Sequence, residues 1–149
     1  MYIGWNTIDK DCKYLADMIR ACDVIIAIGR GGLVPGTIIS YYLDCSLYNF
    51  CLQSYKDGTA GSLIKKQVPD LIFNENYREK KVVVIDDLSD KGNTLHAVKK
   101  HLDMYAFKDY KFATLYTKSS TSFKPDYYIK NFDDNIWLDF PWESGSINK

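Results

Sequence analysis

The sequence predicts an α/β fold built on a mainly parallel sheet, and three observations predict it. Two unbroken apolar runs, VIIAI (Val24 to Ile28) and VVVI (Val82 to Ile85), suit strands buried on both faces. Each run ends in a glycine-containing loop that leads into residues spaced as on a helix. Strands alternating with helices imply parallel neighbours, because a parallel pair needs a crossover connection. No repeat of solenoid length is present.

Along the chain, Asp11 to Cys22 carries Cys12, Leu15, Met18, Ile19 and Cys22 at spacings of three and four, one stripe of an amphipathic helix. VIIAI follows as a strand and breaks off at GRGGLVPG. Gly29, Gly31 and Gly32 permit a tight turn there, and Pro35 suits the first turn of a helix continuing through Ile38, Ile39, Tyr42 and Leu43. CSLYNFCL is a further strand candidate. Gln53 to Ile64 is polar, glycine-containing and aperiodic, which reads as a mobile loop or short hairpin. Lys81 to Asp87 repeats the strand pattern, the loop DLSDKGN follows, and a helix from Thr94 presents Leu95, Val98 and Leu102 inward. FATLY (Phe112 to Tyr116) and IWL (Ile136 to Leu138) complete the expected strands.

The chain has 149 residues, enough for one domain over 1–149 with a sizeable core, since a chain of this size buries roughly 70% of its unfolded surface. Lys plus Arg number 19 and Asp plus Glu number 19, so no bulk field gathers nucleic acid or an anionic membrane, and neither partner is expected. Cys12, Cys22, Cys45 and Cys51 form no CxxC pair and no zinc-site spacing, which reads as reduced thiols in a cytoplasmic protein. No stretch is apolar enough for a signal peptide or a membrane helix.

In open α/β sheets ligands bind beyond the carboxyl ends of the strands, where both glycine loops are expected. The second loop offers Asp86, Asp87 and Asp90, then Lys91, Gly92, Asn93 and Thr94 at a helix start. Carboxylates suit Mg²⁺ or sugar hydroxyls, and free amides at a helix N-terminus suit a phosphate. Together they describe a sugar-phosphate site. The plainer alternative is that Asp86 and Asp87 end a strand while Asp90 or Asn93 caps the helix.

VVVIDDLSDKGNT resembles the phosphoribosyl pyrophosphate signature of type I phosphoribosyltransferases: apolar residues, two acidic residues, then a D-[ST]-G-x-T loop. IAIGRGGLVPG is similar to the pyrophosphate loop of the bacterial xanthine-guanine branch, and IWLDFPWE to that branch's closing segment. The three pieces stand in the family's order across residues 24 to 143. The resemblance implies a twisted, mainly parallel sheet flanked by helices, with a small hood formed by the C-terminal segment. It also implies transfer of the 5-phosphoribosyl group from phosphoribosyl pyrophosphate to a 6-oxopurine, with Mg²⁺ as cofactor, a nucleotide as product, and a homodimer or homotetramer as the assembly.

Residue by residue, the resemblance assigns Asp86 and Asp87 to the ribose hydroxyls and Mg²⁺, with Asp87 the direct metal contact. Asp90 becomes the general base near purine N7. Lys91, Gly92, Asn93 and Thr94 hold the 5-phosphate. Arg30 and Gly31 bind pyrophosphate, across a peptide that is often cis in relatives. Lys118 donates to the exocyclic O6, Trp137 stacks on the base, and the backbone of Leu138 meets the position-2 substituent. Ser54 to Ile64 is expected to close as a lid against water. Two departures stand out. Lys91 occupies a place usually held by Ser or Thr, and Gly61 falls near where relatives tend to carry a basic residue, for which Lys56, Lys65 and Lys66 are the candidates. The rival readings are a non-catalytic domain that senses phosphoribosyl pyrophosphate, and a transferase acting on a different nucleobase.

Overall fold

The computed structural model describes residues 1–54, 63–67, 75–104 and 107–143. Its frame is a six-stranded sheet. The elements run α1 (Trp5–Ile19), β1 (Val24–Gly29), α2 (Leu33–Leu43), β2 (Ser46–Ser54), β3 (Leu63–Gln67), β4 (Lys81–Ser89), α3 (Asn93–Leu102), β5 (Asp109–Lys118) and β6 (Tyr127–Phe132). The strand order is β3-β2-β1-β4-β5-β6, with every pairing parallel except the β2–β3 edge. Chain order therefore reverses between β1 and β4, and a crevice opens at that point beyond the strands' carboxyl ends.

Alternation along the strands explains why VIIAI and VVVI carry no polar residue. Ile25, Val83 and Ile85 enter one core with Ile8, Cys12, Leu15, Ile19 and Ile39 from α1 and α2. Val24, Ile26, Ile28, Val82 and Val84 face the other way, toward Leu95, Val98 and Leu102 of α3. Successive side chains point to opposite faces of a strand, so a sheet covered on both sides requires apolar residues at every position.

The element boundaries shift in instructive ways. α1 begins at Trp5, earlier than the expected Asp11, because Ile8 extends the buried stripe by one turn. It stops at Ile19, where Arg20 turns to φ 69° and its amide bonds the Ala16 carbonyl at 2.8 Å. Gln53 and Ile64 pair across the β2–β3 hairpin, so the hairpin alternative describes the two ends of that segment. Residues 55–62 lie outside the described residues, and with them most of the expected lid, including Lys56 and Gly61. Lys65 and Lys66 belong to β3.

IWL is not a strand. The C-terminal segment instead bridges to the extended N-terminus: the Ile3 amide bonds the Asp139 carbonyl at 2.9 Å, and the Asp139 amide bonds the Met1 carbonyl at 2.9 Å. The last strand is β6, YYIKNF, which sequence reading passed over because Lys130 and Asn131 are exposed on this sheet edge and break the apolar run. The C-terminal hood packs through Phe140 and Trp142, which stack at 4.7 Å, with Trp5 6.0 Å from Trp142 and Tyr116 6.0 Å from Phe140.

Candidate active site

The loops after β1 and β4 meet at the switch point, and glycine makes the meeting possible. Gly32 sits so close to the sheet that a Cβ would lie 2.8 Å from the Ile28 carbonyl oxygen and 3.0 Å from the Asp86 Cα. At Gly31 a Cβ would lie 2.6 Å from the Asp87 carboxyl carbon. Any side chain at either position would displace the acidic pair. The Gly32 amide bonds the Ile28 carbonyl at 2.9 Å and the Leu33 amide bonds the Arg30 carbonyl at 3.1 Å, so the turn is closed by its own backbone. Arg30 projects from it, exposed. The cis peptide is Gly29–Arg30, one bond before the Arg30–Gly31 bond that the sequence resemblance suggests.

Asp86 and Asp87 do not end β4, which continues in register with β5 through Leu88↔Tyr116 and Ser89↔Thr117. Asp86 is buried, and its Oδ1 accepts the Asp87 amide at 2.9 Å. Burial, and then the charge of Asp87, hold the Asp86 carboxyl well above the usual range. Burial pushes Asp87 up to about 6, and the nearby charge of Glu143 adds to the rise. The pair resists carrying two negative charges, and a cation beside it would relieve that.

Beyond the pair, Asp90 and Lys91 are exposed, and Gly92 adopts φ 90° at the N-cap of α3. No side chain caps this helix, so neither Asp90 nor Asn93 plays the plain capping role. The amides of Asn93 and Thr94 open α3 without intrahelical partners, an arrangement that attracts anions.

The residues that the resemblance assigns to the purine lie at the end of β5 and in the segment after β6. Lys118 is buried, and its ammonium donates to the Asp133 carbonyl at 3.2 Å and to the Ile136 carbonyl. It thereby holds the segment that presents Trp137. Trp137 is 77% exposed, and its Nε1 donates to Asp139 at 2.9 Å, which fixes one edge of the ring. The Leu138 side chain is buried, so only its backbone can face a ligand.

Two residues that sequence reading passed over join these regions. Asp134 accepts the Ser120 amide, which lowers its pKa most, and the charges of Lys91 and Lys118 lower it further. The phosphate-type loop and the hood are thus within electrostatic reach of one another. Glu143 reaches Asp87 from the tail. Sequence alone does not mark either role, since Asp134 meets Lys91, and Glu143 meets Asp87, only through the fold.

The chain matches the phosphoribosyl transferase domain family over residues 4–146. It is 30% identical to a xanthine-guanine phosphoribosyltransferase of Chromohalobacter salexigens over 146 residues, covering 96% of this chain and 83% of that one. It is 32% identical to the xanthine-guanine phosphoribosyltransferase of Desulfotalea psychrophila over 148 residues, covering 97% and 86%. The crystal structure of a purine phosphoribosyltransferase from Pyrococcus horikoshii superposes with a TM-score of 0.85 at 34% identity, covering 96% of this chain and 93% of that chain.

Proposed function

The chain belongs to the phosphoribosyl transferase domain family, and from that premise we propose that it transfers the 5-phosphoribosyl group of phosphoribosyl pyrophosphate to a 6-oxopurine, guanine, xanthine or hypoxanthine, releasing pyrophosphate. One observation carries the reading: Gly31 and the Asp87 carboxylate meet at the switch point, beside the uncapped N-terminus of α3. A pyrophosphate loop, a sugar-facing acidic pair and a phosphate cradle are then contiguous, as a doubly phosphorylated sugar requires.

In this reading the Asn93 and Thr94 amides, the Thr94 hydroxyl, Gly92 and Lys91 hold the 5-phosphate. Arg30 and the Gly31 amide bind pyrophosphate and stabilise the charge that grows on it as the bond to ribose C1 breaks. Asp86 and Asp87 face the ribose hydroxyls. Asp90 accepts the purine proton as the base attacks C1. Trp137 offers a ring face to the base and the Leu138 backbone meets its position-2 edge. Lys118 donates to O6, an acceptor that adenine lacks, which sets the preference for oxopurines.

Mg²⁺ fits the donor set. That ion is usually held by one or two carboxylates with substrate oxygens and water completing the shell. Asp86 and Asp87 supply the carboxylates, and among the described residues no group of three or more His, Cys, Asp or Glu side chains could hold a metal without substrate. When bound, Mg²⁺ neutralises charge on the pyrophosphate.

The protein acts as a single domain in the cytoplasm, as a homodimer or homotetramer. Exposed Tyr14 and Met18 on α1 and Tyr41 and Tyr42 on α2 support the assembly, because tyrosine and methionine are enriched at interfaces. Among the described residues no helix is long and apolar enough to cross a membrane.

The test is a spectrophotometric assay with Mg²⁺ and phosphoribosyl pyrophosphate against guanine, xanthine, hypoxanthine, adenine and uracil, beside an Asp90→Asn variant. Turnover of a 6-oxopurine is expected, lowered about 10²- to 10⁴-fold in the variant. Turnover of adenine or uracil alone would move the acceptor to another nucleobase. Binding of phosphoribosyl pyrophosphate with no turnover of any base would replace the transferase reading with a sensing one.

A further inference from the structure

The loop Asp90 to Thr94 is built with little support of its own. Gly92 takes a left-handed φ of 90°, and no side chain caps α3. Its support comes from the turn between β5 and β6. The Ser122 amide and the Ser122 hydroxyl both donate to the Lys91 carbonyl, at 3.1 and 2.8 Å. The His96 Nε2 on the first turns of α3 lies 3.2 Å from both the Ser122 carbonyl and its hydroxyl. Phe123 backs the glycine so closely that a Cβ at Gly92 would lie 2.7 Å from the Phe123 amide nitrogen.

The turn is itself tied to the floor of the site. Ser89, the last residue of β4, is buried, and its hydroxyl donates to the Phe123 carbonyl at 2.8 Å. It also shares a 2.8 Å hydrogen bond with the Thr121 hydroxyl. The Phe123 ring meets His96 at 4.9 Å and Phe112 at 4.8 Å. The loop is therefore clamped from strand end to helix start by a segment about thirty residues downstream.

We propose that the β5–β6 turn is a brace that presets the phosphate loop, and that Ser122 is its positioning residue, setting affinity for phosphoribosyl pyrophosphate without touching it. Anion binding by backbone amides depends on those amides already pointing at one spot, because ordering them at the moment of binding costs affinity. Capture of the Lys91 carbonyl by two donors fixes the peptide that leads into Gly92 and the α3 amides. The proposal rests on the phosphoribosyl transfer reading for its ligand, while the brace itself is a property of the free chain.

Two measurements on full-length protein test it, with Ser119→Ala as the control on the same turn, since the Ser119 hydroxyl bonds the Phe132 carbonyl and not the phosphate loop. In steady-state kinetics, Ser122→Ala is expected to raise KM for phosphoribosyl pyrophosphate about threefold to tenfold, the range one lost hydrogen bond allows, with kcat and the purine KM little changed. Ser122→Thr restores the hydroxyl and should recover the wild-type KM. Thr121→Val, which removes the link to Ser89 together with the Thr121 hydroxyl's bonds to the Phe123 amide and carbonyl, should raise the same KM. In amide hydrogen exchange on ligand-free protein, Ser122→Ala should speed exchange across residues 89–96, and Ser119→Ala should not. A fall in kcat in place of the KM rise, or exchange at the wild-type rate in Ser122→Ala, would overturn the brace. If the wild-type chain neither binds nor uses phosphoribosyl pyrophosphate, the function reading fails, and hydrogen exchange alone decides whether the turn orders the loop.

Discussion

The loops after β1 and β4 are written alike, as an apolar strand, a glycine turn and a helix, yet they are held by different means. The first is closed within itself, by bonds from the Gly32 amide to the Ile28 carbonyl and from the Leu33 amide to the Arg30 carbonyl. It fits because it lacks side chains where it crosses the sheet. The second leans on another part of the chain, Ser122 and Phe123, and follows a strand end that carries buried charge in Asp86. A loop that must approach a ligand closely can be made from local backbone. One that must combine carboxylates with open amides needs outside support, because like charges and uncapped helix ends do not stabilise themselves.

The largest expected effect breaks the first loop. In Gly32→Ala the new Cβ meets backbone on two strands, and backbone there cannot move without disrupting the sheet, so a loss of about 3 kcal/mol in chemical denaturation is expected. A loss below about 1 kcal/mol, under the usual cost of overpacking, would mean that the turn yields easily.

The charge at the end of β4 gives the next effect. Asp87 has a folded pKa of about 6 against an ordinary 3.8, so between these values the folded chain binds more protons than the unfolded one and stability falls as pH rises. Asp87→Asn should therefore stabilise the metal-free, ligand-free protein at pH 8, by roughly 2 kcal/mol, with the gain shrinking as pH falls from 6 toward 4. Melting temperatures of the two proteins across this range check it, and a gain independent of pH would argue against a buried charge as the cause. The variant is expected to be inactive.

Two smaller effects separate the cations of the two loops. Arg30→Ala should raise KM for phosphoribosyl pyrophosphate about tenfold, the loss of a charge-assisted contact. Lys91→Ser should change it only about twofold to threefold, and less at high salt, because an exposed lysine adds a screened charge to a site already made by backbone amides. Equal effects would mean that the second loop binds through its side chain.

The strands legible in the sequence are those whose pattern is set by burial on both faces, VIIAI and VVVI, and the helices whose stripes face them. β6 was not legible, because an edge strand with Lys130 and Asn131 exposed has no distinctive period. IWL read as a strand because its composition suits one, but composition carries no information about a pairing partner, and its neighbour is the N-terminus. In the candidate site, the run from Asp86 to Thr94 stood out because it is contiguous and chemically dense, whereas Arg30, Gly31 and Lys118 received their roles only from the family resemblance. Trp137 and Leu138 were legible only through their resemblance to a closing segment.

By itself the sequence determined the α/β class, the two glycine loops and the residues that carry charge and amides to them, since these follow from short-range pattern and residue chemistry. Only the tertiary structure decided that the first loop meets β4 through Gly31 and Asp87, that Lys118 ties down the hood, and that Ser122 supports Gly92. The reason is physical: those contacts join residues 15 or more positions apart, or strand ends brought together by chain reversal at β1 and β4, and local pattern does not encode which distant surfaces meet.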